Sequence, residues 1–277
     1  MNLTLPEKEK VSKKTISIYI ISIIICILAI IIVVGVQILG NDIVDNIFGI
    51  NKIIKRTEQE EANLKANFEN IFDNKLEVNT KNEENRDIIH TNYSKQEKTD
   101  NYEINVNIPY INIENIGVQN FNKEIKNTFE AKAEEVLRSD NKNTIYTVKY
   151  KAKIENNILS LIIYSDLKQD TNAQRVIVQT FNFDLEENKK LALEDILKIY
   201  DLSKKDVQDK INKDIKEAQR KSNDLKNLGY NVFSRNLENH IYKIENIEEF
   251  FIYNNNIYII FAYGNDSITS EMDLVII

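Results

Sequence analysis

The sequence predicts an α+β protein: an N-terminal single transmembrane helix, then a mostly antiparallel sheet packed with two or three helices. Three observations predict it. Residues Ile16–Leu39 contain no charged side chain. Several short segments between 102 and 277 alternate apolar and polar residues, the pattern of half-buried strands. Between them, apolar residues recur every three or four positions, as on one face of a helix.

A helix over Ile16–Leu39 is about 36 Å long, enough to cross a hydrocarbon layer of ~30 Å with some tilt. A cleavable signal would have a shorter apolar run ending in small residues; this run ends Val36-Gln37-Ile38-Leu39-Gly40. Lys8, Lys10, Lys13 and Lys14 precede it, and Asp42 and Asp45 follow it. The basic flank predicts a cytoplasmic tail at residues 1–15 and an extracytoplasmic remainder, hence a single-pass protein of the cell membrane.

After the anchor, Ile43, Ile47, Ile50, Ile54, Thr57, Glu61, Leu64, Phe68 and Ile71 follow alternating spacings of four and three. That heptad register predicts a helical stalk that could pair two copies as a homodimer through 43–71, or lie as one amphipathic helix on the bilayer or on its own domain. Residues 74–101 are mostly polar and predict a flexible tether, completing a stalk-and-tether region over 40–101. The folded domain is expected over 102–277, with possible submodules at 102–167 and 168–277.

Within it, Ile104, Val106 and Ile108 predict a strand ending at Pro109. Phe121, Ile125, Phe129, Ala133, Val136 and Leu137 predict a helix from Val118 to Arg138. Strands follow over Thr144–Ile154, Ile158–Leu167 and Ala173–Leu185, the first two joined by a tight turn at Asn156-Asn157. A short helix at Ala192–Ile199 and a longer one from Lys204 to Lys221, capped by Ser203, come next. Gly229 breaks the pattern. Phe250–Tyr253, a turn at Asn254-Asn255-Asn256, Ile257–Tyr263 and Leu274–Ile277 close the chain.

Composition excludes several functions. Residues 1–39 hold four of the 36 basic and two of the 43 acidic residues, so 40–277 carries a formal charge of −9. No nucleic acid is expected against such a surface, whereas a cationic partner is compatible with it. The single cysteine, Cys26, lies inside the apolar run and reads as a filler, leaving no disulfide or thiol nucleophile in the domain. Absence of Trp rules out tryptophan stacking on a sugar. His90 and His240 have no partner at metal-ligand spacing, and no G-x-S-x-G elbow, phosphate loop or dinucleotide fingerprint occurs. The pairs Glu83/Glu84, Glu134/Glu135, Glu186/Glu187 and Glu248/Glu249 read as solvated faces. Asp184 and Glu194-Asp195 could line a cation site, but Asp195 fits better as a helix-initiating acid. No catalytic, cofactor or metal residue is assigned. Function is therefore expected on loops held by the sheet, 168–175 and 263–271, with Gln174, Arg175, Tyr263 and Asp266 as candidate binding residues.

Asn157-Ile158-Leu159-Ser160-Leu161, Phe181-Asn182-Phe183-Asp184-Leu185, Lys190-Leu191-Ala192-Leu193-Glu194-Asp195-Ile196-Leu197 and Glu249-Phe250-Phe251-Ile252-Tyr253-Asn254-Asn255-Asn256-Ile257-Tyr258 occur in this order. Together, over residues 102–277, they resemble the extracytoplasmic domain of RsiV-type anti-sigma factors, modules also found before the catalytic domain of PdaC-type peptidoglycan deacetylases. The resemblance implies a bacterial cell-envelope protein with an exterior binding or sensing domain; the RsiV domain binds lysozyme. The chain departs from that family in three places. A 15-residue tail is too short for an anti-sigma segment. Lys168–Arg175 stands where the family carries a Gly-Gly-Ala-His-like stretch. Ala262-Tyr263-Gly264-Asn265-Asp266 replaces a stretch rich in Pro, Tyr and Glu. The function expected is a non-enzymatic module that engages a cell-wall fragment or an exterior protein such as lysozyme. The alternatives are an anti-sigma-type protein regulated by proteolysis and a cell-wall-active hydrolase.

Overall fold

The computed structural model describes residues 56–73, 76–78, 88–138 and 143–277. The expected tail, the span Ile16–Leu39 and the stalk up to residue 55 lie outside them. Among the described residues no helix is long and apolar enough to cross a membrane. All of them belong to one compact unit, Ile53–Ile277.

The fold is α+β. The first sheet has the strands β1 (Leu76–Val78), β2 (Ile89–Lys98), β3 (Tyr102–Ile111), β4 (Thr144–Glu155), β5 (Ile158–Gln169), β6 (Arg175–Asp184) and β7 (Lys189–Lys190). Their order is β2-β3-β4-β5-β6-β7, with β1 on β4 beyond the end of β3. Pairing is antiparallel except for β3 and β1, which both run parallel to β4. A second, antiparallel sheet has the order β10-β9-β8, from β8 (Phe250–Tyr253), β9 (Asn256–Ala262) and β10 (Met272–Ile276). Both turns adopt a left-handed backbone, at Asn156 (φ 51°) and Asn157 (φ 62°) and at Asn254 (φ 50°) and Asn255 (φ 60°); Asn256, expected in the second turn, opens β9.

The helix expected over 118–138 is α2 (Ile116–Ile125) and α3 (Ala131–Arg138) joined by a π turn, Lys126–Glu130. The spacing explains the turn. Phe121, Ile125, Phe129 and Ala133 are four residues apart, and at about 100° per residue each step drifts by about 40° around a regular helix. A wider turn takes up that drift, so Phe121, Ile125, Phe129 and Ala133 all stay on the sheet. The opposite face of β4 to β6 meets the second sheet: Ile162, Val176 and Val178 pack with Phe251, Tyr258, Ile260 and Ile276. On the far side of that sheet lie α4 (Leu193–Ile199) and α5 (Lys204–Asn227), with Ile196, Val207, Ile211 and Ile215 in the core. Ser203 caps α5 and Asp195 accepts Ala192 N–H at 3.0 Å, as expected; α5 runs six residues past its expected end.

Three expectations are corrected. First, the stalk register breaks at Thr57 because a helix begins there. Thr57 and Glu60 form a reciprocal capping box that opens α1 (Glu58–Phe68). Leu64, Phe68 and Ile71 then pack on their own domain, and Glu61 pairs with Lys210 at 2.7 Å. From Leu64 to Ile71 the apolar seam is thus covered by this domain, as in the alternative reading of one helix lying on its own domain, rather than by a second copy; Ile43–Ile54 lies outside the described residues. Second, the expected tether supplies strands β1 and β2. β1 forms because Glu77 bridges Lys151 (2.6 Å) and Lys153 (3.1 Å), two lysines that the sheet buries. His90 lies exposed on β2, its ring 5.6 Å from Tyr110. Third, the submodule boundary is not at 168, because β6 pairs along β5.

The sheets join through side chains rather than a backbone ladder. Asn182 donates to Phe250 O at 2.7 Å, Ser160 Oγ accepts Ile252 N–H at 2.9 Å, and Thr180 Oγ1 accepts Phe250 N–H at 3.1 Å. Ser160, Thr180 and Asn182 are buried, and this seam is why they are polar.

Candidate functional site

The loops 168–175 and 263–271 come together at the outer edge of β6. Arg175 reaches across with Nε donating to Gly264 O at 2.8 Å and Nη2 donating to Asn265 O at 3.1 Å. Val176 N–H donates to Thr269 O at 3.0 Å. Asn265 completes the junction by bonding both backbone groups of Val178, at 3.0 and 2.9 Å. The approach is so close that a Cβ on Gly264 would lie 1.7 Å from Val176 O, so only glycine fits there. Of the four expected binding residues, Arg175 is therefore the clamp of this ridge, while Gln174 is exposed and bonds Asp166 at 2.7 Å. Asp266 is exposed on the ridge.

Tyr263 is not a surface residue. The turn Tyr263–Asn265 aims its ring inward, where it stacks on Phe233 at 3.9 Å between centroids. Its hydroxyl donates to Asp273 at 2.5 Å and meets the Tyr242 hydroxyl at 2.8 Å. Burial, reinforced by Asp273, pushes its pKa far up, so the phenol stays protonated. Asp273 is held in turn by Arg235, which also bonds Glu271 at 3.1 Å. Burial works against the Arg235 charge, but the two carboxylates outweigh it and raise its pKa. These partners lie 36 and 38 residues from Arg235, beyond any local pattern.

Beside the ridge lies a cleft of about 770 Å³. Phe233 and Tyr263 line its base, and its walls carry Glu245, Glu248, Glu249 and Asp266, with exposed His240 at the edge. No lysine or arginine lines it among the described residues. Glu248 is solvated as expected, but Glu249 is not: its carboxylate accepts Thr180 N–H at 2.6 Å, and burial pushes its pKa up to about 7. Asp184 and Glu194 lie elsewhere in local roles. Asp184 accepts the N–H groups of Glu186 and Glu187, both at 2.9 Å, and Glu194 pairs with Lys204 at 2.6 Å. Among the described residues no cluster of three or more His, Cys, Asp or Glu side chains has metal-binding geometry.

Two solved structures that resemble this chain are DUF3298 family proteins. One, from Pseudomonas aeruginosa, is 17% identical over 39% of this chain and 53% of its own, with a TM-score of 0.27. This chain therefore spans about half the length of that protein. A second, from Bacteroides fragilis, is 11% identical over 68% of this chain and 89% of its own, with a TM-score of 0.38. No family model and no curated protein matches the sequence. Neither structural likeness bears on the RsiV-type resemblance.

Proposed function

We propose that this chain is a membrane-anchored, extracytoplasmic binding or sensing module of the bacterial cell envelope, related to the RsiV ectodomain. It engages a cationic exterior protein such as lysozyme through the acidic cleft and the ridge beside it, with a cell-wall component as the alternative ligand. The observation that carries this reading is the cleft: four acidic side chains, three of them exposed, with three Phe and Tyr rings and, among the described residues, no lysine or arginine in one concavity. In a segment with a formal charge of −9, that concavity focuses negative potential on one face. The anchor and its orientation rest on Ile16–Leu39 and its basic flank; a homodimer would have to pair through Ile43–Ile54. Asp184 and Glu194, which serve a turn and an ion pair, lend no support to the hydrolase alternative.

The test is biolayer interferometry of residues 53–277, so that α1 and β1 are retained, against lysozyme and against solubilised peptidoglycan fragments. Asp266→Lys and Glu248→Lys, both at exposed positions, are expected to weaken lysozyme binding at least tenfold. Binding that survives both reversals would remove the cleft from the proposal; no binding to either analyte would remove the proposal itself.

A further inference from the structure

We propose that a second concavity, on the opposite flank of the ridge from the acidic cleft, is a binding site for a small apolar monocarboxylate. It lies on the helix-covered face of the first sheet. Strand register sets its floor: Tyr146, Leu167 and Arg175 stand in one cross-strand row, and Ser165 and Ile177 stand in the next. Thr128 and Lys132, from the π turn and α3, form one wall, and Ile268 from the ridge forms the other. The volume is about 320 Å³, room for a branched or aromatic side chain with its terminal group.

Three features specify the ligand. The lining is mainly apolar, through Leu167, Ile177, Ala173 and Ile268, and Ile268 stands 68% exposed over the opening. No carboxylate lines the site among the described residues, although acidic residues outnumber basic ones in the chain. Lys132 and Arg175 do line it. Lys132 is paired with Glu135 at 2.8 Å, but Arg175 bonds only backbone carbonyls and has no acidic partner among the described residues. An unneutralised guanidinium beside an apolar hollow suits a carboxylate. Finally, Ser165 is 1% exposed and lines the hollow; its Oγ has no partner within 3.5 Å and meets only loosely the Tyr146 hydroxyl beside it. The neighbouring Tyr146 hydroxyl donates to Phe129 O at 3.3 Å. A buried hydroxyl held only loosely can turn its proton to a ligand oxygen.

The site is independent of the acidic cleft, which takes the opposite charge, so either proposal can fail alone. The chain has no tryptophan, so Ile268→Trp makes a single reporter at the opening. The full chain carrying it, in phosphatidylcholine vesicles, is titrated with N-acetyl-leucine and with N-acetyl-leucinamide. The expected result is a saturable blue shift with the carboxylate and an apparent affinity at least tenfold lower for the amide. Ala173→Glu, at an exposed position, is expected to weaken carboxylate binding at least tenfold, and Ser165→Ala at least threefold. No saturable shift, an equal response to the amide, or indifference to Ala173→Glu would each overturn the proposal.

Discussion

The Glu249 carboxyl sits where the second sheet meets β6, and its pKa is pushed up to about 7, chiefly by burial and then by Glu248, against hydrogen bonds from Thr180. An acid whose folded pKa exceeds its unfolded value stabilises the fold fully below the unfolded value, near 4.5, and that stability is lost as pH rises through 7. Glu249→Gln keeps an acceptor for Thr180 N–H and cannot ionise. It is expected to match the parent near pH 4.5 and to exceed its stability by on the order of 1 kcal/mol at pH 8, measured by urea unfolding at both pH values. Tyr263→Phe keeps the stack on Phe233 but removes the hydroxyl between Asp273 and Tyr242. It should destabilise by about 1–2 kcal/mol and leave lysozyme binding unchanged, the opposite of what a surface contact would do. Tyr263 was legible as an aromatic in a loop held by the sheet. Its inward direction was not, because Phe233, Tyr242 and Asp273 approach it from three separate segments.

At the scale of elements, the segment from α1 to β1 straps the two sheets. Phe68 is fully buried, and Phe68→Ala is expected to cost about 3–5 kcal/mol. Hydrogen exchange should show that loss over residues 58–78, with β4 to β6 retaining more protection. The strap also has a pH window. Burial opposes the Glu77 charge, but hydrogen bonds from Lys151 and Lys153 outweigh it and hold its carboxyl below the usual range. A depressed acid contributes stability above its unfolded pKa, so the strap should lose exchange protection as pH falls below about 4. Lys151, raised above its ordinary value by Asp73 and Glu77 despite burial, sets the upper limit in the same way and loses its contribution only at strongly alkaline pH. The strands from 102 onward were legible from alternation and Asn-Asn turns. The strap was not, since β1 is only three residues long within a mostly polar stretch, and Glu77 finds Lys151 and Lys153 74 and 76 residues away.

For the whole molecule, the seam between the sheets decides cooperativity. Asn182 bonds Ser160 at 2.5 Å and Phe250 O at 2.7 Å from a buried position. Asn182→Ala leaves two buried groups unpaired and is expected to destabilise by about 2–3 kcal/mol. Because one apolar cluster spans both sheets and α1, unfolding should remain a single transition by circular dichroism and by tyrosine fluorescence. Partner capture by an acidic cleft implies association that slows as salt rises from 50 to 500 mM, with the apolar base of the cleft retaining part of the affinity. The sequence by itself determined the α+β class, most strands and helices beyond residue 102, the hairpin turns and the acidic charge, because these depend on periodicity and on local backbone chemistry. Only the tertiary structure decided that α1 and β1 belong to the domain, that Tyr263 is core, that the two loops form one clamped ridge, that Glu249 is half-buried against Thr180 and that Ser165 is buried. Each of these follows from contacts between residues tens to hundreds of positions apart, for which a one-dimensional pattern carries no signal.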